Sequence, residues 1–125
     1  MNKGKGAENG ARLVDAIVAG IQDVKGKDIV HLDLRAVPNT VCDHFVICHG
    51  DSDTQVEAIA NSVEKTTRER VGEKPWHVEG RQRAEWVLLD YVNVVVHIFY
   101  RDRRSHYAIE ELWGDAISQR FDNVA

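Results

Sequence analysis

The chain has 125 residues, of which 43% are hydrophobic, and its 16 Lys and Arg against 20 Asp and Glu give a formal net charge of −4. This length fits one domain rather than two, and the apolar content is sufficient for a core. The acidic balance argues against a protein whose main task is to bind nucleic-acid backbone, because that affinity comes from Lys and Arg. No apolar run approaches the roughly 20 residues that cross a bilayer.

The first ten residues are polar and rich in glycine, and they lack the apolar segment of a signal peptide, so we expect a cytoplasmic protein. The two cysteines, Cys42 and Cys48, are therefore expected to be reduced. We expect a flexible tail over residues 1–10, one domain over 11–118 and a weak C-terminal tail over 119–125.

An amphipathic helix is predicted near the N-terminus. Apolar residues recur at spacings of three and four between Leu13 and Val24, so they form one stripe of a helix over Glu8–Lys25. We expect Gly26 to end this helix, because glycine can take the positive φ that follows a last turn.

A second helix is predicted after residue 51. Ser52 and Gln55 have the spacing of a capping box, in which the serine side chain accepts a hydrogen bond from the first turn. The apolar stripe continues to about Val71, and Gly72 closes the helix.

Runs of β-branched and aromatic residues predict five strands. A basic cluster follows the last strand, and a short helix is predicted near Tyr107–Trp113. The order αββαβββα predicts a single α/β (or α+β) domain with a mixed sheet of about five strands flanked by helices. The predicted strands are Asp28–Leu34, Asp43–Cys48, Trp76–Glu79, Glu85–Tyr91 and Val94–Tyr100.

The strand Glu85–Tyr91 is apolar on both faces. Alternation places Trp86, Leu88 and Asp90 on one face, and Val87, Leu89 and Tyr91 on the other. If the first face is exposed, it has the composition of an interface hot spot, with an aromatic anchor, an aliphatic neighbour and a charge. A central strand covered on both faces fits the pattern equally well.

Two further groups of residues suggest chemistry only weakly. Cys42, His44, Cys48 and His49 have metal-ligating side chains, but Cys42 and Cys48 would lie roughly 20 Å apart on one strand, so we expect no metal site. The loop Gly50–Asp53 could hold a phosphate or a divalent ion before a helix, yet its two carboxylates repel phosphate and serve better as caps. We expect no catalytic residues and no cofactor.

Residues 28–115 resemble the Iojap and RsfS family of ribosomal silencing factors over nearly their whole length. No single stretch is decisive, but their order and spacing together are specific. The matching stretches are Lys25–Ile29, Leu32-Asp33, Asp43–Cys48, Gly50, Ser52-Asp53, Val78–Gly80, Trp86–Tyr91, Val94–His97, Tyr107 and Glu110–Trp113.

The resemblance implies a non-enzymatic role on a fold similar to that of nucleotidyltransferases. Proteins of this family look like dimers that bind a basic ribosomal protein of the L-fourteen type on the intersubunit face of the large ribosomal subunit. Occupying that surface blocks joining of the small subunit and represses translation when nutrients are scarce. An acidic domain suits such a basic partner; we expect no direct binding to DNA or to a membrane.

By position, the resemblance assigns partner binding to one strand and its neighbour: Trp86, Leu88, Asp90 and Tyr91, with His97. Two alternatives stay open at this point. One is a nucleotidyltransferase-like enzyme that uses the loop Gly50–Asp53. The other is direct RNA binding through Arg101, Arg103 and Arg104.

Overall fold

In the part of the chain that the structure describes, six strands form one mixed sheet, with two long helices packed on one of its faces. The structure, a computed structural model, describes residues 3–40, 42–107 and 116–124. The helices are α1 (Lys3–Asp23), α2 (Asp53–Val71) and the short α3 (Arg101–Tyr107). The strands are β1 (Lys27–Asp33), β2 (His44–Gly50), β3 (His77–Glu79), β4 (Trp86–Asp90), β5 (Val94–Tyr100) and β6 (Ile117–Phe121).

The strand order across the sheet is β3-β4-β5-β2-β1-β6. All neighbouring strands are antiparallel except the central pair, β2 and β5, which runs parallel. The predicted mixed sheet flanked by helices is thus confirmed, but its predicted count of about five strands is one too low. The missed strand β6 pairs with β1 at the edge of the sheet and is mostly exposed, so its sequence lacks the apolar run that marks an inner strand.

The main core lies between the sheet and the pair α1 and α2. On the strands it includes Val87 and Leu89 of β4 together with Val96 and Ile98 of β5, all fully buried. A second apolar cluster lies on the opposite face, which we call the outer face, and includes Phe99, Val95 and Ile47. Within the part of the chain that is described, neither long helix is apolar enough to span a bilayer.

The start of α2 follows the sequence prediction closely. The Ser52 hydroxyl accepts a hydrogen bond of 3.0 Å from the Gln55 backbone, and the Gln55 side chain accepts one of 2.7 Å from the Asp51 backbone. At the other end Gly72 takes a φ of 68° and closes the helix. Both ends depend on neighbouring residues in the chain, which is why the sequence predicts them well.

The two ends of α1 differ from the prediction. The helix begins at Lys3, inside the segment predicted to be a flexible tail. At its other end Lys25, not Gly26, takes the left-handed conformation, with a φ of 60°. Gly26 is required for space instead, because a Cβ atom there would overlap the side chain of Ile21.

Two further boundaries differ from the prediction. Strand β2 continues through Gly50 rather than ending at Cys48, because His49 and Gly50 pair with β5. Strand β6 crosses the predicted domain boundary at residue 118, and beyond it Asn123 exchanges hydrogen bonds with Asp28. The basic cluster lies in α3, and the predicted helix over Tyr107–Trp113 falls largely outside the described residues.

Candidate partner-binding site

Strand β4 has one buried side and one side that reaches the surface. Val87 and Leu89 point to the helices and are fully buried, whereas Trp86, Leu88 and Asp90 are half-buried on the outer face. The possibility of a strand buried equally on both sides is therefore wrong. A half-buried Trp and Leu beside a carboxylate can supply both apolar area and charge to a protein partner.

Aromatic rings surround Trp86 on the outer face. Its indole stacks on Phe99 of β5, with ring centroids 5.2 Å apart and an interplanar angle of 26°. The indole N–H donates a hydrogen bond of 3.1 Å to Nδ1 of His97, and Phe45 of β2 meets the His97 ring edge-on at 4.6 Å. Phe45 and Phe99 were not among the predicted site residues, because only the strand register brings them next to Trp86.

His97 lies beneath this surface rather than on it. The side chain is 5% exposed, and burial lowers the pKa of His97 to about 4. The imidazole is therefore neutral near pH 7, and since Nδ1 accepts the indole hydrogen bond, the proton lies on Nε2. Among the described residues, Nε2 has no hydrogen-bond partner.

Asp90 organises the backbone at the end of β4. Its carboxylate accepts a hydrogen bond of 2.7 Å from the Val92 backbone, and its carbonyl accepts one of 2.8 Å from Trp76. Val92 is 59% exposed and has a φ of 77°, which is strained for a β-branched residue. Asp90 thus stabilises a tight turn as well as placing a negative charge on the surface.

The neighbouring edge strand adds polar groups to the same face. In the antiparallel register His77 lies opposite Asp90, and Glu79 lies opposite Leu88. Nε2 of His77 and the Glu79 carboxylate are 2.9 Å apart. Leu88 therefore has two acidic neighbours, Glu79 and Asp90. The sequence alone did not indicate this, because it does not show how β3 pairs with β4.

Tyr91 is separated from the other four predicted site residues. It is 2% exposed and lies on the helix side of the sheet, where its hydroxyl and that of Thr67 are 2.9 Å apart. Burial raises the pKa of Tyr91 to about 12. The structure therefore brings Trp86, Leu88, Asp90 and His97 together but places Tyr91 in the core.

An open groove runs beside Trp86. It is lined by Val78 of β3 and by the loop between β3 and β4, which includes Arg81 and Arg83. Arg81 is held from α2 by hydrogen bonds to Glu64 and Asn61. Nothing in the sequence of this loop shows that it borders the indole.

The metal-ligating side chains have other partners. Nδ1 of His44 is 2.9 Å from Nε2 of His31, and Nδ1 of His49 is 3.0 Å from Arg104. Cys48 is fully buried, which raises its thiol pKa to about 12. Among the described residues, no three His, Cys, Asp or Glu side chains come close enough to hold a metal ion.

The loop Gly50–Asp53 serves the fold locally. Ser52 caps α2, and the Asp51 carboxylate lies 3.7 Å from Arg101 and 3.9 Å from His49. These contacts account for the loop without a nucleotide, so the enzyme alternative gains no support from its geometry.

The three arginines of α3 do not form one exposed basic patch. Arg104 is 9% exposed and contacts His49, whereas Arg103 lies 3.6 Å from Glu85. Arg101 lies near both Asp51 and Asp102. Carboxylates thus accompany the two exposed arginines, which weakens the case for RNA binding through this helix.

Residues 7–125 match the family model described as "ribosomal silencing factor during starvation". The ribosomal silencing factor RsfS of Bacillus subtilis is 42% identical over 108 residues, which cover 86% of this chain and 90% of the relative. That of Halalkalibacterium halodurans is 38% identical over 112 residues, with coverage of 90% and 94%.

A crystal structure of a protein from Chromobacterium violaceum has the same fold, with a TM-score of 0.76 and 36% sequence identity over 82% of this chain and 83% of that one. The matched RsfS proteins are named as silencing factors and not as enzymes, in agreement with the expected non-enzymatic role. The chain belongs to the family of ribosomal silencing factors.

Proposed function

We propose that this protein represses translation by binding the large ribosomal subunit and blocking its union with the small subunit. The partner is a basic ribosomal protein of the L-fourteen type at the intersubunit face, and repression operates in the cytoplasm when nutrients are limiting. The observation that carries the proposal is the half-buried strip Trp86, Leu88 and Asp90 on the outer face. Family membership supports the silencing role.

Charge supports a basic partner. The chain has a net charge of −4, and Leu88 has two acidic neighbours, Asp90 two residues further along β4 and Glu79 opposite it on β3. Opposite charges at the rim of an interface increase the association rate and disfavour wrong partners, while the apolar centre provides most of the affinity.

Co-sedimentation with purified large subunits tests the assigned surface. We expect Trp86→Ala to weaken binding by roughly 30-fold or more, because a buried aromatic anchor contributes on the order of 2–4 kcal/mol. Asp90→Arg should abolish binding, since it places a positive charge against a basic protein. Trp76→Ala is the matched control, because Trp76 is 82% exposed and lies outside the strip.

The circular dichroism of all variants should equal that of the wild type, so that loss of binding is not loss of folding. Normal binding by both Trp86→Ala and Asp90→Arg would refute the assigned surface. Binding of naked ribosomal RNA that weakens steeply with salt would instead favour the arginines of α3.

Subunit joining is measured separately in sucrose gradients. Isolated subunits should form fewer joined ribosomes when the protein is added, and Trp86→Ala should not have this effect. If the wild type binds large subunits without reducing their joining, then the proposed steric block is wrong.

We also propose that the protein is a homodimer. Sedimentation equilibrium should give twice the 14.1 kDa mass of one chain. A mass of one chain across the concentrations used for ribosome binding would contradict this.

A further inference from the structure

The hydrogen bond between Trp86 and His97 joins an accessible side chain to a buried one. Trp86 is half-buried on the outer face, whereas His97 is only 5% exposed. A partner that rests on this face can contact the indole, but it can contact little of the imidazole. The role of His97 in binding must therefore be sought in what it does to Trp86.

Strand register shows that this hydrogen bond fixes the direction of the indole. Trp86 lies directly opposite Phe99, while His97 lies opposite Leu88, two residues further along the same face of β4. For its N–H to reach His97 Nδ1, the indole must lean along β4 towards Leu88. The stack on Phe99 fixes the plane of the ring, and the hydrogen bond fixes its direction within that plane.

The surroundings of His97 favour this single hydrogen bond. The imidazole is held by Phe45 from β2 and lies nearly parallel to Phe99. Ile47 lies opposite it on β2. In such apolar surroundings the buried Nδ1 acceptor is costly to leave without its donor, so the indole has little freedom to turn away.

We propose that His97 is a positioning residue for partner binding, which holds the Trp86 indole in the orientation that the partner recognises without contacting the partner itself. The inference rests on the proposed function, because it assumes that Trp86 is the anchor. An anchor that is fixed before binding loses less conformational freedom on association, which increases affinity.

Two variants of nearly equal shape test this role. His97→Asn places a carbonyl oxygen close to where Nδ1 lies, so it can accept the indole hydrogen bond. His97→Leu has the same branching as His97→Asn but no acceptor. We expect His97→Leu to bind large subunits roughly fivefold more weakly than the wild type, and His97→Asn to restore most of that loss.

The indole N–H signal in the NMR spectrum reports on the hydrogen bond without the ribosome. In the wild type and in His97→Asn, the Trp86 signal should exchange slowly with solvent, and in His97→Leu it should exchange faster. Equal affinity of the wild type and His97→Leu despite the faster exchange would overturn the proposal.

A double-mutant cycle separates positioning from packing. Trp86→Phe removes the N–H donor, so adding His97→Leu to it should cause no further loss of binding. If His97→Leu weakens binding equally in both backgrounds, then His97 acts through packing alone and the proposal is wrong. Failure of the wild type to bind large subunits would instead refute the proposed function, whatever the indole signal shows.

Discussion

The hydroxyl groups of Thr67 and Tyr91 share a buried hydrogen bond, with their oxygen atoms 2.9 Å apart, and this joins the last turns of α2 to the end of β4. Tyr91 follows the three residues of the outer strip in the chain, yet it belongs to the core. Tyr91 therefore contributes to stability alone, whereas its neighbour Asp90 also faces the candidate partner surface.

Tyr91→Phe should therefore lower the stability of the protein without changing its affinity for large subunits. Removal of one partner from a buried hydrogen bond costs about 1–2 kcal/mol, which urea unfolding would measure. Co-sedimentation of the folded variant should match that of the wild type. Weaker binding at unchanged stability would place Tyr91 in the partner site after all.

Asp90 should show two separable roles. Asp90→Asn keeps an oxygen that can accept the Val92 N–H, so its free energy of unfolding should stay within about 0.5 kcal/mol of the wild type. Asp90→Ala removes the acceptor and should lose about 1 kcal/mol. Both variants should bind large subunits roughly twofold to fivefold more weakly, because both lack the charge. Wild-type stability of Asp90→Ala would show that the Asp90 side chain does not support the turn.

Gly20 should be intolerant of a side chain, because α1 and α2 approach closely there. A Cβ atom would lie 2.9 Å from the Cα of Val63, and the Gly20 carbonyl already accepts a hydrogen bond of 2.6 Å from Ser62. Gly20→Ala should destabilise the protein by about 1–3 kcal/mol in urea unfolding, although alanine is the better helix former.

Gly10→Ala is the matched control for that substitution. Gly10 also lies within α1, but a Cβ atom there would be 3.4 Å from the nearest side-chain atom, which is ordinary contact. This variant should be neutral or up to about 1 kcal/mol more stable. Similar destabilisation of both variants would show that the helix contact at Gly20 is not the cause.

Stability should decrease on acidification, and His97 should account for part of the decrease. Burial lowers its pKa from 6.5 to about 4, so between these values the unfolded chain binds a proton that the folded chain does not. The free energy of unfolding therefore decreases as the pH falls. This decrease is complete below about pH 4 and is on the order of 3 kcal/mol. Urea unfolding between pH 7 and 4 should show a shallower decrease for His97→Leu, and parallel curves would contradict the assignment.

The sequence predicts those features of the fold that depend on neighbouring residues. The cap at Ser52, the end of α2 at Gly72 and the bounds of Val94–Tyr100 all agree with the structure. The strand β6 was missed because it is formed by pairing with β1 rather than by its own apolar pattern. The need for Gly26 was attributed to φ, whereas it comes from the packing of Ile21.

In the candidate site, too, the sequence predicts what depends on neighbouring residues along one strand. Alternation along β4 places Trp86, Leu88 and Asp90 on one side and Tyr91 on the other, as the structure confirms. Family resemblance nevertheless grouped Tyr91 with the site. The hydrogen bond between Trp86 and His97 could not be predicted, because it depends on the register of two strands and on the direction of one ring.

The side chains of β4 alternate between the outer face and the core, and this limits which substitutions the strand tolerates. Residues 86, 88 and 90 face outwards, while residues 87 and 89 fill the core, so the outward set can be substituted while the core layer is retained. Single substitutions in the outward set can thus change which partner is bound. A shift of the whole strand by one residue in its pairing would exchange the two sets, turning Trp86 inwards and Leu89 outwards, and would remove recognition and folding together.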